Sequence, residues 1–229
     1  MIAYSNQMRY RLHMVSFSNQ MLAGRLKNPT TRKETLMFTR DNAAIVLIDH
    51  QDLPLSWVKS IPEGVTVANV RQLARIGVEF GVPLLVTSTM EDNIGTSISD
   101  IQELAPEAYA NRVKRGGTLN CFLDAAFVTA VAALERKNLI IAGLTTDICL
   151  YNTVAAGLDA GYSIEVVADA SGSSSVLSDA ITFDRLRDKG AVITVGNQVL
   201  SELFSDFGTE EGQRAMQINL QEIAGAPAE

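Results

Sequence analysis

The chain has 229 residues, 47% of them hydrophobic, and a formal net charge of −7. That length suits one α/β domain with appendages and a sizeable core, and the acidic balance argues against broad affinity for nucleic acid or anionic membranes. No apolar run approaches the roughly 18 residues of a membrane span. Two cysteines, Cys121 and Cys149, make neither a disulfide framework nor a zinc quartet, which fits a reducing compartment.

In chain order, residues 1–36 come first, as a basic N-terminal arm. The first 40 residues carry seven Lys or Arg and a single acid, Glu34. They show no strand pattern. Such a composition fits an organelle transit peptide. A flexible arm, or an upstream start codon ahead of a core that begins near Met37, is the simpler reading. There is no signal-peptide apolar core, so the expected location is cytoplasmic, or an organelle if residues 1–36 are a targeting segment.

Residues 37–207 read as one domain. Ala43–Asp49 (AAIVLID), Pro83–Ser88 (PLLVTS), Leu139–Gly143 (LIIAG), Ile164–Asp169 (IEVVAD) and Ala191–Gly196 (AVITVG) are almost continuously apolar. Strands read this way when both sheet faces are covered. Tyr109–Arg115 is a weaker sixth. Helical stripes lie between them over Val65–Phe80, Phe122–Leu134, Ile148–Ala160, Ser178–Lys189 and Gln198–Phe204. This alternation implies parallel strands with right-handed crossovers. The expected fold class is α/β: three layers, α-β-α, around an open, mostly parallel six-stranded sheet (Rossmann-like). The stripe over Phe122–Leu134 is apolar nearly all round, so it is expected to be buried on two sides, by its own chain or by a second subunit. Residues 208–229 read as a C-terminal tail or helix that packs on a neighbour.

Open α/β sheets bind ligands beyond the carboxyl ends of their strands. There the chain places Asp49, His50 and Gln51; then Thr87, Ser88 and Thr89; then Lys114 and Arg115; then Thr145, Thr146, Asp147 and Cys149. An acid, a pair of cations and a thiol converge on one rim. If a helix begins near Asp147–Cys149, free N–H groups and the positive dipole end favour the thiolate. The dipole contributes about 0.3–1 kcal/mol, enough to lower a thiol pKa by roughly one unit. A nearby cation, Lys114 or Arg115, is therefore also needed. Asp49 is the candidate that takes the thiol proton and returns it to a leaving group.

Each of these residues has a blander reading. A lone cysteine is more often a small buried hydrophobe, a strand-end aspartate a cap or turn former, and Lys114–Arg115 a solvated strand end. Cys121 reads as core. His50 neighbours Asp49 and on a strand would point the other way. GxGxxG, GxxxxGK[ST] and GxSxG motifs and metal-ligand spacing are absent from the sequence, so no metal and no other cofactor is expected.

Four segments carry a family resemblance. AGLTTDICL (Ala142–Leu150) resembles the nucleophile loop of the isochorismatase-like cysteine hydrolases. LIDHQ (Leu47–Gln51) resembles that family's first-strand aspartate segment, RVKRGGTLNCF (Arg112–Phe122) the strand and turn carrying its catalytic lysine, and VVADASGS (Val166–Ser173) a further family segment. The resemblance runs from about Asp41 to about Val199. It implies an Asp–Lys–Cys triad, with Asp49 as general acid/base and Cys149 as nucleophile. The cation is Lys114 by the pattern of many members. It is Arg115 by that of a branch of uncharacterised, metal-free hydrolases, which DHQ and TSTMEDN resemble most; Arg115 is slightly preferred. The resemblance further implies a cis peptide at Leu144–Thr145, aiming the Thr145 N–H together with that of Cys149 at an oxyanion. Leu144, Thr145, Gln51 and Asn120 make up the implied oxyanion and substrate-binding set. Nicotinamidase-type members carry an Asp-x-His metal site after an early strand; Glu91 and Asp92 stand there without a histidine, so no metal is implied.

The implied activity is hydrolysis of a C–N bond in a small amide-like substrate through a thioester. The alternatives are isochorismatase-type vinyl-ether hydrolysis and a non-catalytic oligomeric binding or assembly protein on the same fold. The expected partners are a small-molecule substrate and further copies of the chain in a homo-oligomer, with no nucleic acid and no membrane.

Overall fold

A computed structural model describes residues 38–224, so the basic arm over 1–36 lies outside the described residues. Six strands form one sheet: β1 (Ala43–Ile48), β2 (Leu84–Thr89), β3 (Val113–Arg115), β4 (Asn138–Gly143), β5 (Ser163–Val167) and β6 (Val192–Thr194). Their order is β3-β2-β1-β4-β5-β6, and every neighbouring pair is parallel. The helices are α1 (Asp52–Trp57), α2 (Glu63–Phe80), α3 (Glu91–Ile94), α4 (Ser99–Leu104), α5 (Pro106–Ala110), α6 (Ala125–Ala133), α7 (Tyr151–Asp159), α8 (Val176–Lys189), α9 (Gly196–Leu203) and α10 (Glu210–Asn219).

The strands lack an alternating pattern because each face of the sheet has its own core. Ala43, Ile45 and Leu47 of β1 pack with Val70, Leu73 and Ile76 of α2 and Val199 of α9. Ala44, Val46 and Ile48 pack with Phe127 of α6, Val154 of α7 and Leu186 of α8. Successive strand residues thus enter opposite cores, which gives the three-layer α/β architecture. The sheet grows one way from β1 to β3 and the other way from β4 to β6. The crevice at that switch point, beyond β1 and β4, is where such sheets hold ligands. Gly143 lets those two strand ends close up: a Cβ there would sit 2.9 Å from Ile48 Cβ and 3.1 Å from Ile48 O.

Three segments differ from the sequence expectation. Pro106 starts the short helix α5, so Tyr109–Arg115 is strand only over Val113–Arg115. The stripe over Phe122–Leu134 breaks at Asp124, whose Oδ1 accepts from the Ala126 and Phe127 N–H groups and caps α6. Within α6 only Phe127 and Val131 are buried. Leu123 beside it is 76% exposed and Val128 43%, so among the described residues the chain itself covers only one side of this stripe. Ile148–Ala160 divides into a five-residue turn wider than an α-helix, Thr146–Leu150, followed by α7. At the C-terminal end, α10 packs on the chain's own α2. Ala215 and Ile218 are fully buried, and Glu222 pairs with Arg71 at 2.6 Å and Arg75 at 2.9 Å.

One carboxyl group in this core is chemically out of keeping with its surroundings. Glu165 of β5 is buried and lies against Glu202 of α9. Burial first, then the charge of Glu202 and the hydrogen bond they share, push Glu165 up to about 8. The folded chain therefore keeps a proton that the unfolded chain loses above the usual glutamate pKa of ~4.3. The stability this adds is complete below that range and is lost as pH climbs toward about 8. The urea midpoint is expected to fall between pH 6 and pH 9, and to fall less in Glu165→Gln; equal falls in the two proteins would contradict this assignment.

Candidate active site

Asp49 sits where β1 ends, with a φ of 54°. Aspartate is one of the few residues that adopt this left-handed conformation readily. The turn is held on both sides: the Asp49 N–H donates to Thr87 O at 3.2 Å and the Gln51 N–H to Asp49 O at 2.8 Å. The carboxylate is fully enclosed. Its Oδ1 accepts from Thr87 Oγ1 at 2.7 Å, and its Oδ2 is ion-paired with Arg115 Nη2.

Neighbouring residues of β3 face opposite ways, and this separates the two candidate cations. The Arg115 side chain has no solvent exposure; its Nη1 donates to Thr118 O. The Lys114 side chain is 58% exposed and pairs with Glu91 at 3.2 Å. Burial alone would raise the Glu91 pKa, but Arg112, Ser88 and Lys114 together bring it down to about 2. Lys114 thus belongs to a separate cluster with Glu91 and Arg112, and it is Arg115 that joins Asp49.

Cys149 lies in the wide turn beyond β4. The Leu144–Thr145 peptide is cis. Leu144 N–H donates to Ile48 O at 3.0 Å and Thr146 N–H to Gly172 O at 2.9 Å. Thr145 O accepts from the N–H groups of Ile148, at 3.1 Å, and Leu150, at 3.4 Å. The Thr145 N–H has no acceptor among the described residues. Leu144, expected in the oxyanion set, is therefore committed through its N–H to β1.

The thiol does not behave as the sequence suggested. Burial first, then the neighbouring Asp49 carboxylate, push the Cys149 pKa up, against the opposing pull of Arg115. The helix-end argument has the opposite sign because it leaves out desolvation and the adjacent carboxylate. The surroundings thus favour the neutral thiol, beside the same carboxylate that Arg115 pairs with.

Two residues expected to touch substrate are engaged with backbone. Gln51 is fully buried. Its Oε1 accepts from the Thr89 N–H at 2.8 Å, and its Nε2 donates to Thr89 O at 2.9 Å and to Gly95 O. It extends the β1–β2 pairing past the strand end. Asn120 Oδ1 accepts from the Phe122 N–H at 2.9 Å and caps the turn at Cys121–Leu123. His50 is also buried; its Nε2 donates to Ala170 O at 2.8 Å, and burial lowers its pKa to about 4, so it is neutral and structural. Two contributors were not among the expected site residues. Thr87 reaches Asp49 because it stands opposite Ile48 in the β1–β2 register. Cys121 is fully buried, and burial raises it to about 11 against the pull of Arg115, so a second thiol shares the guanidinium. Neither role is legible without strand register. A cleft of about 480 Å³ lined by Gly77, Val82, Leu84, Ala105 and Pro106 opens near the amino end of β2 and includes none of these residues.

Comparison with known proteins shows the family and the fold. Residues 43–198 match the isochorismatase domain. The probable hydrolase YcaC of Escherichia coli (strain K12) is 30% identical over 176 residues, 76% of this chain and 84% of that protein. A solved structure of YcaC from Pseudomonas aeruginosa, with hexane-2,5-diol and covalent acrylamide, is 30% identical with a TM-score of 0.77, covering 82% of this chain and 93% of that one. The E. coli YcaC structure, described as an octameric hydrolase of unknown specificity, has a TM-score of 0.78 at 28% identity, covering 84% of this chain and 93% of that one. On sequence, fold and the placement of an aspartate and a cysteine at the sheet's switch point, the chain belongs to the isochorismatase-like hydrolase family.

Proposed function

We propose that the protein is a cysteine hydrolase that cleaves a C–N bond of a small amide-like substrate through a thioester. The observation that carries this reading is the thiol of Cys149 set beside a carboxylate that Arg115 and Thr87 hold in place. In the proposed cycle the Cys149 proton passes to Asp49 as Sγ bonds to the carbonyl carbon. The N–H groups of Thr145 and Cys149 hold the oxyanion, an arrangement worth ~3 kcal/mol per donor in other acyl-transfer sites. The tetrahedral species collapses, the C–N bond breaks, and the proton on Asp49 goes to the departing nitrogen. Water then gives a proton to Asp49 and its hydroxide to the thioester carbon. The C–S bond breaks, the acid leaves, and the sulfur recovers its proton.

Arg115 is the proposed cation. Its place is to keep Asp49 oriented and to oppose the negative charge that builds on sulfur. The acrylamide bound covalently in the P. aeruginosa relative suits a site that accepts a small amide-bearing electrophile. We also read the chain as a homo-oligomer, as the E. coli relative is described to be. Val176 and Leu177 (68% exposed each) and Ile181 (52%) stand at the start of α8, and Ile148 (40%) on the Cys149 turn that packs against that helix. Exposed aliphatic groups gathered in this way favour a protein partner.

Three measurements test this. In a screen of small amides, hydroxamates and carbamoyl compounds, Cys149→Ala is expected to lose at least ~10³-fold in turnover and Arg115→Ala ~10²-fold or more, with Lys114→Ala within about threefold; an unchanged rate in Cys149→Ala removes the reading, and the reverse order for the two cations makes Lys114 the partner. Asp49→Asn removes the charge that holds the thiol proton, so iodoacetamide should alkylate Cys149 faster at pH 7 while hydrolysis is lost; slower alkylation would mean that Asp49 does not restrain the thiol. The double variant Val176→Glu/Leu177→Glu should sediment as a smaller species than the wild type, and an unchanged mass rules out this face as the contact between copies.

A further inference from the structure

The wide turn that carries Cys149 is held by a side chain that no step above uses. Asp147 Oδ1 accepts from Thr145 Oγ1 at 2.9 Å, and its Oδ2 accepts from Ser178 Oγ at 2.6 Å. Ser178 lies in the first turn of α8, where its own N–H donates to the capping Ser175 Oγ at 3.1 Å. Asp147 therefore ties the start of the nucleophile turn to the fixed end of a 14-residue helix. An α-helix would orient its first peptides through its own i→i−4 ladder. Here Thr145 O instead accepts from Ile148 and Leu150, and the hydroxyl of the same residue is held by Asp147.

We infer that Asp147 is a positioning residue of the Cys149 site: by fixing Thr145 at its side chain while the turn fixes it at its carbonyl, it sets the direction of the Thr145 N–H. That N–H has no acceptor among the described residues and is a proposed oxyanion donor, so the inference rests on the thioester reading. Its action is geometric. The charged partners of the Cys149 thiol are Asp49 and Arg115, with Cys121 a minor one. Loss of Asp147 should therefore damage oxyanion stabilisation and leave thiol ionisation as it was, a split that general loosening of the turn would not produce.

Two probes of Cys149 separate these effects. p-Nitrophenyl acetate acylates the sulfur through a tetrahedral oxyanion: the Sγ–C bond forms, the ester C–O bond breaks, p-nitrophenolate leaves with the electron pair, and the thiol proton passes to Asp49. Iodoacetamide alkylates the same sulfur by direct displacement of iodide, with no oxyanion. Asp147→Ala is expected to slow the p-nitrophenolate burst about 10- to 100-fold, with the rate and pH profile of iodoacetamide alkylation within about twofold of wild type. Asp147→Asn keeps an oxygen for the Thr145 hydroxyl and should recover most of the burst. Ser178→Ala frees one side of Asp147 and should give a smaller loss. If Asp147→Ala does not fold, these two variants decide. An unchanged burst in all variants, or burst and alkylation falling together, overturns the inference. A wild-type protein that is alkylated at Cys149 yet gives no burst removes the thioester reading itself, and this inference with it.

Discussion

An ion pair closed off from water, Asp49 with Arg115, is the constraint on which the rim of the sheet depends. Each charge loses hydration worth several kcal/mol when it is buried. The loss is offset because the two meet directly and two further atoms are also used, one Asp49 oxygen by Thr87 and one Arg115 nitrogen by Thr118 O, while Arg115 Nε is buried without a partner among the described residues. The pair spans three strands. Asp49 follows β1, Thr87 lies in β2 and Arg115 ends β3, so a displacement of any of them would leave a buried charge uncompensated. Such a pair adds little net stability over an apolar core of the same shape, but it holds one carboxylate in one place.

Burial and that fixed carboxylate together decide the state of the sulfur. A cation facing a thiol directly would draw out the thiolate. Here Arg115 spends its charge on Asp49, and the thiol meets the carboxylate, so burial and Asp49 together keep the proton on sulfur. In the proposed chemistry the thiolate appears only as the proton crosses to Asp49, at the moment when substrate carbon and backbone N–H groups can take up the negative charge. A resting neutral thiol is also less exposed to oxidation and stray electrophiles than a permanent thiolate.

Most of the sheet was readable because burial on both faces leaves a plain mark. β1, β2, β4 and β5 read as almost continuously apolar runs, and their parallel order follows from the helices between them. The edge was less readable. β3 keeps three residues, because the helix that Pro106 starts runs on to Ala110, into the stretch that looked extended, and an edge strand needs few apolar positions. The stripe after Asn120 looked continuous because pattern records which residues are apolar, while the cap at Asp124 that divides it is a hydrogen-bonding event. In the site, Asp49, Arg115 and Cys149 could be named from their positions at strand ends. The backbone bonds of Gln51 and of the Asn120 oxygen were not readable, because a polar side chain at a rim carries no sign of the backbone group it will bind.

The amino-acid sequence by itself determined the layers, the parallel sheet and the rim on which an acid, a cation and a thiol would stand, since these follow from the period of apolar residues and from the ends of the runs. Tertiary structure alone decided that Arg115 rather than Lys114 turns inward, that Thr87 supports Asp49, and that the sulfur holds its proton. The reason is physical: which of two adjacent side chains enters a core depends on strand register, and a pKa depends on the desolvation and charges met at one point in space, and neither quantity is local in the chain.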